Sequence, residues 1–233
     1  MNDPPTTVQR LRLTFSKYGS ARYISHLDLA RTLERALNRA RLPLAYSQGF
    51  NRRPRLSLAA ALPLGYTSEA ELADVWLVET IEPSHFQERL KASMAPGIDL
   101  LGVEQVALNE LSLQQMVTAS AYEIRFLDPQ NDEYLHKQVS KLLDSESIPW
   151  ERKRPKNNQT QVIDLRPLIL ELNIVQLLDQ TPLLLMELAQ TPEQTGRPDD
   201  VLTAMGFDPL DSHIHRKNIV LRSDPQTGSA YGE

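Results

Sequence analysis

The chain has 233 residues, 41% of them hydrophobic, no cysteine and a net charge of -5. That is apolar content for one large domain or two compact ones, and an inventory that excludes disulfides, thiolate nucleophiles, cysteine-ligated zinc and iron–sulfur clusters. The net charge hides an asymmetry: residues 1–56 carry eleven Lys or Arg against three acids, a surplus of eight, which leaves the remainder at -13.

Ten of those eleven cations are arginines, whose planar donor fork fits phosphate and carboxylate better than the point charge of lysine does. An anionic partner is therefore expected at this end. Residues 1–7 are polar and include Asp3, Pro4 and Pro5, without the charged start and apolar run of a secretory signal, so a cytoplasmic location is the expectation. The most apolar stretch, 165–178, is broken by Arg166, Pro167, Glu171, Asn173 and Gln176, so no membrane segment is expected.

Residues 8–15 place Leu11, Leu13 and Phe15 on one face and Arg10, Arg12 and Thr14 on the other, which predicts a half-buried strand. A turn at residues 17–20 leads to Ser25 as a helix N-cap, with Asp28 in the first turn. The helix is expected over 26–41, with Leu29, Ala30, Leu33, Ala36, Leu37 and Ala40 as its apolar stripe and Arg31, Arg35 and Arg39 at four-residue spacing on another face. Residues 46–55 form a loop rich in turn formers and guanidinium groups, strands follow over 56–61 and 72–80, a short helix over 84–94 and a strand over 100–106. This β-α-β-β-α-β order predicts a ferredoxin-like unit over 8–110.

After the polar stretch 107–115 the order restarts, defining a second unit over 118–222. A strand around Tyr122, Ile124 and Phe126 precedes a helix over 133–143 and a hairpin over 150–163 turning at Asn157-Asn158. Two strands over 172–188, a helix over 198–205 ended by Gly206 and a strand over 214–221 complete it. The fold class expected is thus α+β, two ferredoxin-like halves with antiparallel sheets, followed by a disordered tail over 223–233.

Clustered cations interleaved with aromatic residues suit phosphate contact and base stacking. The residues expected to bind nucleic acid are Lys17, Arg22, Arg31, Arg35, Tyr46, Phe50, Asn51, Arg52, Arg53 and Arg55, with Lys153, Arg154, Asp164 and Arg166 as a contribution from the second half. Tyr18 and Tyr23 share the aromatic pattern. His26 and Asp28 are weak candidates for acid–base chemistry, since neighbouring helix positions do not face one another and Asp28 also serves as a capping-region acid. Asp164 and Arg166, two apart on one strand face, are expected to pair with each other. There is no Gly-rich phosphate loop, nucleophile elbow or paired-histidine motif, and no metal site is expected.

The run from Arg12 to Leu29 containing Ile24-Ser25-His26-Leu27-Asp28, the loop Tyr46-Ser47-Gln48-Gly49-Phe50-Asn51, Ala61-Leu62-Pro63-Leu64-Gly65 and Ile163-Asp164-Leu165-Arg166-Pro167 together resemble a radical SAM-associated protein family of unknown function. Its members are fused to, or encoded beside, cobalamin-binding radical SAM proteins. The resemblance implies association with a radical SAM protein, which would carry the iron–sulfur cluster, S-adenosylmethionine and cobalamin, and nothing finer. Joined to the basic N-terminal residues and the missing catalytic motifs, it gives as the expected function a non-catalytic accessory protein that binds RNA, a ribonucleoprotein or another polyanion. Where many relatives have Pro-His-Pro, this chain has Arg52-Arg53-Pro54, and a guanidinium cannot replace a histidine as general base. The alternatives are an RNA-modifying or RNA-processing enzyme using His26 and Asp28, and a protein adaptor that binds no nucleic acid.

Overall fold

The computed structural model describes residues 6–48, 50–153, 160–178, 181–191 and 193–222. The turn at Asn157-Asn158 and the tail over 223–233 lie outside the described residues. The fold is mixed α+β, and the chain divides into two compact units, one of residues up to Val117 with those from Leu221 onward, the other Thr118–Val220.

In the first unit β1 (Gln9–Lys17) is followed by a 3-10 turn (Gly19–Tyr23), α1 (His26–Arg39), β2 (Leu56–Leu58), β3 (Thr67–Leu77), α2 (Pro83–Lys91) and β4 (Leu100–Val106). β1 lies between β4 and β3, antiparallel to both, and β2 pairs antiparallel with β3. Leu11, Leu13 and Phe15 of β1 and Ala73, Val75 and Leu77 of β3 form one face, as period-2 alternation requires. Leu29, Leu33, Ala36 and Leu37 of α1 and Phe86 and Leu90 of α2 pack on it. Each fully buried leucine or phenylalanine contributes about 1.5–3 kcal/mol relative to an exposed one.

α1 begins where the sequence predicts, with the Ser25 hydroxyl accepting from the Asp28 amide at 3.1 Å. It ends two residues early, at Arg39, because Arg41 adopts φ 51°, the left-handed conformation that closes helices. The polar stretch 107–115 runs into a short helix, α3 (Leu113–Met116), held by a capping box between Ser112 and Gln115. Leu113 and Met116 are both buried.

β1 departs from the half-buried strand expected of it. Arg10 and Arg12 are only 2% and 5% exposed, so both faces are covered. The segment that ends in α3 supplies the cover: the Glu110 and Leu111 carbonyls accept from Arg10, and the Glu110 carboxylate pairs with Arg12 at 3.2 Å.

The second unit contains β5 (Val117–Phe126), α4 (Asp132–Asp144), the hairpin β6 (Pro149–Lys153) and β7 (Thr160–Asp164), β8 (Ile169–Gln176), β9 (Pro182–Ala189), α5 (Pro198–Ala204) and β10 (Ser212–Leu221). Its sheet has the order β10-β5-β9-β8, with the β6–β7 hairpin as a separate ribbon. Tyr122 and Ile124 stand opposite Met186 and Leu184, which stand opposite Leu172 and Ile174. Of these six, all but Ile174 are buried, as are Leu135, Val139 and Leu142 of α4 and Val201 and Leu202 of α5. Among the described residues no helix is long and apolar enough to cross a membrane.

Candidate nucleic-acid interface

The cations counted in the first quarter of the sequence divide into two groups once the chain is folded. Arg10, Arg12 and Lys17 turn inward. Asp74, 0% exposed, accepts from Nε of Arg10 at 3.0 Å and Nε of Arg12 at 2.9 Å, and also from Nη2 of both. Burial alone would lower the Arg12 pKa, but the hydrogen bonds and charge of Asp74, with help from Glu110, raise it above its ordinary value. Lys17 is 1% exposed, its Nζ 3.4 Å from the carbonyl oxygens of Arg22 and Ile24. Lys17 was expected to contribute to the nucleic-acid surface, and this is corrected: its ammonium packs under the 3-10 turn.

The second group lies outward. Arg52, Arg53 and Arg55 are exposed, and among the described residues none of them forms an ion pair. Their loop is anchored by two backbone bonds across an isolated bridge between Tyr46 and Pro54, the Ser47 amide to the Arg53 carbonyl at 2.9 Å and the Arg55 amide to the Ala45 carbonyl at 2.7 Å. The Arg55 guanidinium carbon sits 4.4 Å from the Trp76 ring centroid, and that of Arg10 5.1 Å from the same ring. A cation held on an indole loses less rotamer freedom when it meets an anion.

A groove of about 720 Å³ opens beside this loop, lined by Thr6, Thr7, Ala45, Tyr46, Ser47, Gln48, Arg52 and Arg55. Of the residues expected to bind nucleic acid, it brings together Tyr46, Arg52 and Arg55; Phe50, Asn51 and Arg53 are exposed in the same loop. Arg22, Arg31 and Arg35 do not line it. Arg22 stacks over Tyr23 at 4.7 Å and Arg31 meets Asp28 at 3.3 Å. Thr6, Thr7, Ser47 and Gln48 are groove residues that the sequence does not mark, since uncharged polar side chains before a strand or in a loop look like ordinary loop composition.

The second-half candidates lie in the other unit. Lys153 ends β6, and Arg154 lies outside the described residues. Asp164 and Arg166 do not form the side-chain pair expected of them. Asp164 Oδ1 accepts the Ile148 amide at 2.8 Å and the Arg166 amide at 3.0 Å, while the Arg166 guanidinium donates to the carbonyls of Leu143 and Ile169. These amide bonds, the Ile148 bond foremost, hold the Asp164 pKa below the usual carboxylate range. The motif thus staples the base of the hairpin to the end of α4.

His26 and Asp28 open α1. The Ser25 hydroxyl donates to Asp28 Oδ2 at 2.7 Å and, with Arg31, lowers the Asp28 pKa. A carboxylate so stabilised is a weaker base at neutral pH. Its folded pKa lies below its unfolded one, so its stabilisation is present above the ordinary aspartate pKa and is lost as pH falls through the lowered value. Ser25→Ala is expected to shift the Asp28 titration upward in a carboxyl NMR pH series and to cost about 1 kcal/mol of stability. An unmoved Asp28 titration would contradict the assigned cause. Among the described residues no group of three or more His, Asp or Glu is placed to hold a metal ion.

The model of an uncharacterized protein family conserved in bacteria, DUF2344, matches residues 10–198. The chain belongs to this family. No curated protein matches it. A chain in the crystal structure of a Cbf5-Nop10-Gar1 complex superimposes with a TM-score of 0.49 at 6% identity, over 90% of this chain and 48% of its own length. The family member described here therefore spans about half the length of that structural neighbour.

Proposed function

We propose that this chain is a non-catalytic accessory protein that binds RNA through the Tyr46–Arg55 loop and works with a cobalamin-binding radical SAM enzyme. The observation that carries the RNA reading is the exposure of Arg52, Arg53 and Arg55 on one anchored loop, with no ion-pair partner among the described residues. Permanently charged forks on a backbone-braced loop match phosphate oxygens, and a stacked Arg55 is held ready for one. The radical SAM association rests on the sequence resemblance, and the absence of cysteine is consistent with cluster chemistry belonging to a partner.

In the same reading each unit is a ferredoxin-like half. Both follow β-α-β-β-α-β, and in both the first strand lies between the last and the third, with the second strand paired to the third. The β6–β7 hairpin is an insertion in the second half.

Filter binding of RNA across a salt series tests the RNA part. Three phosphate contacts give log affinity against log salt a slope of about -2 for a single strand. Affinity that does not respond to salt would remove the electrostatic basis. Mixing the chain with the purified radical SAM protein after nuclease treatment, followed by size-exclusion chromatography, tests the partnership; separate elution counts against it.

A further inference from the structure

The RNA reading leaves open what form of RNA the loop takes, and the groove beside it bears on that choice. Its volume of about 720 Å³ lies within the range that accommodates small organic ligands, roughly 300–1,000 Å³. Tyr46 forms one wall, 44% exposed, and its hydroxyl donates to Asn38 Oδ1 at 2.7 Å. With its backbone braced by the bonds flanking the Tyr46–Pro54 bridge, the ring is a fixed platform. Fixed aromatic platforms stack bases with little ordering cost.

The remaining lining is chemically divided. Arg52 and Arg55 supply two guanidiniums, Thr6, Thr7 and Ser47 supply hydroxyls, and Gln48 supplies an amide that both donates and accepts. Among the described residues no acid lines this groove. Two smaller cavities differ: one, of about 280 Å³, pairs Glu193 with Arg197 and an Arg152 already bonded to Asp200, and another, of about 250 Å³, sets Glu123, Glu171 and Glu187 around Lys217. Each of these carries at least one carboxylate in its lining, whereas the Tyr46 groove offers an aromatic face, base-edge partners and phosphate partners together.

Resting on the RNA reading above, we infer that the groove seats one unpaired nucleotide of a single-stranded RNA, its base on Tyr46 and its adjoining phosphates on Arg52 and Arg55. Bases in a duplex are stacked on both faces and cannot enter such a groove, so a duplex would offer the loop only its phosphates.

Filter binding of the full chain to a 12-nucleotide uridine strand, an abasic strand of the same length and an RNA duplex of equal length tests this. The uridine strand is expected to bind at least about tenfold more tightly than either of the others, in line with the worth of one base–aromatic stack. Tyr46→Ala is expected to weaken uridine-strand binding by about 5- to 100-fold, leaving duplex binding and the salt slope unchanged, while Tyr46→Phe stays within about threefold of the parent. The abasic comparison needs no altered protein, so it decides the matter even if Tyr46→Ala fails to fold. Equal affinity for all three ligands overturns the unpaired-nucleotide inference and leaves the RNA reading standing. Binding of none of them overturns both.

Discussion

Asp74→Ala is expected to destabilise the first unit by about 3–5 kcal/mol, the cost of removing one partner from a buried ion cluster. Asp74 is fully buried, and four nitrogen atoms of Arg10 and Arg12 converge on its two oxygens. Without it, two guanidiniums that cannot lose their protons would remain in the interior with Glu110 as the one acid paired with them among the described residues. A domain is stable by roughly 5–15 kcal/mol in total, so the loss is a large fraction. Urea unfolding followed by circular dichroism measures it. A change below about 1 kcal/mol would mean that the cluster is solvated or rearranges freely. Replacing Arg10, Arg12, Asp74 and Glu110 together with apolar residues of similar volume is expected to be far milder, since no charge is then stranded.

Reversing the charge of Arg52, Arg53 and Arg55 to glutamate is expected to weaken RNA binding on the order of a hundredfold at moderate salt and to flatten the salt dependence by about two units of slope. These side chains are exposed, and exposed substitutions usually change stability by only about 0.5 kcal/mol. Loss of binding with an unchanged melting temperature therefore separates an interface effect from misfolding. A triple variant that holds RNA as the parent does would end the proposed function. Asp74→Ala acts the opposite way, on folding and not on the loop, which makes the two variants useful controls for each other.

What the sequence revealed follows from the range of the interactions involved. The N-cap at Ser25, the stripe of Leu29, Leu33 and Leu37 and the inward set Leu11, Leu13 and Phe15 were all legible, because capping and periodicity are local. The destination of Arg10 and Arg12 was not. Their parity placed them opposite the apolar face, but whether that face meets water depends on a segment about a hundred residues away, and residues 107–115 read as a polar stretch. One signal was available in principle: Asp74 and Trp76 alternate with Ala73, Val75 and Leu77, so pairing β3 with β1 sets Arg12 opposite Asp74 and Arg10 opposite Trp76. The inward course of Lys17 has a related reason, since the carbonyls it meets belong to Arg22 and Ile24, in and just after a 3-10 turn that extends beyond the turn expected at residues 17–20. The candidate groove was half legible: the arginines and Tyr46 stand out by composition, whereas Thr6 and Thr7 join them only through the path of the chain into β1.

Trp76 touches both groups of cations, with buried Arg10 at 5.1 Å and exposed Arg55 at 4.4 Å from its ring. The chain's only other tryptophan, Trp150, belongs to β6 in the other unit. An anion that meets Arg55 on the indole would change the electric field felt by this chromophore and leave the Arg10 contact in place. Intrinsic fluorescence, recorded in a Trp150→Phe background, would then report occupancy of the arginine loop without any attached label.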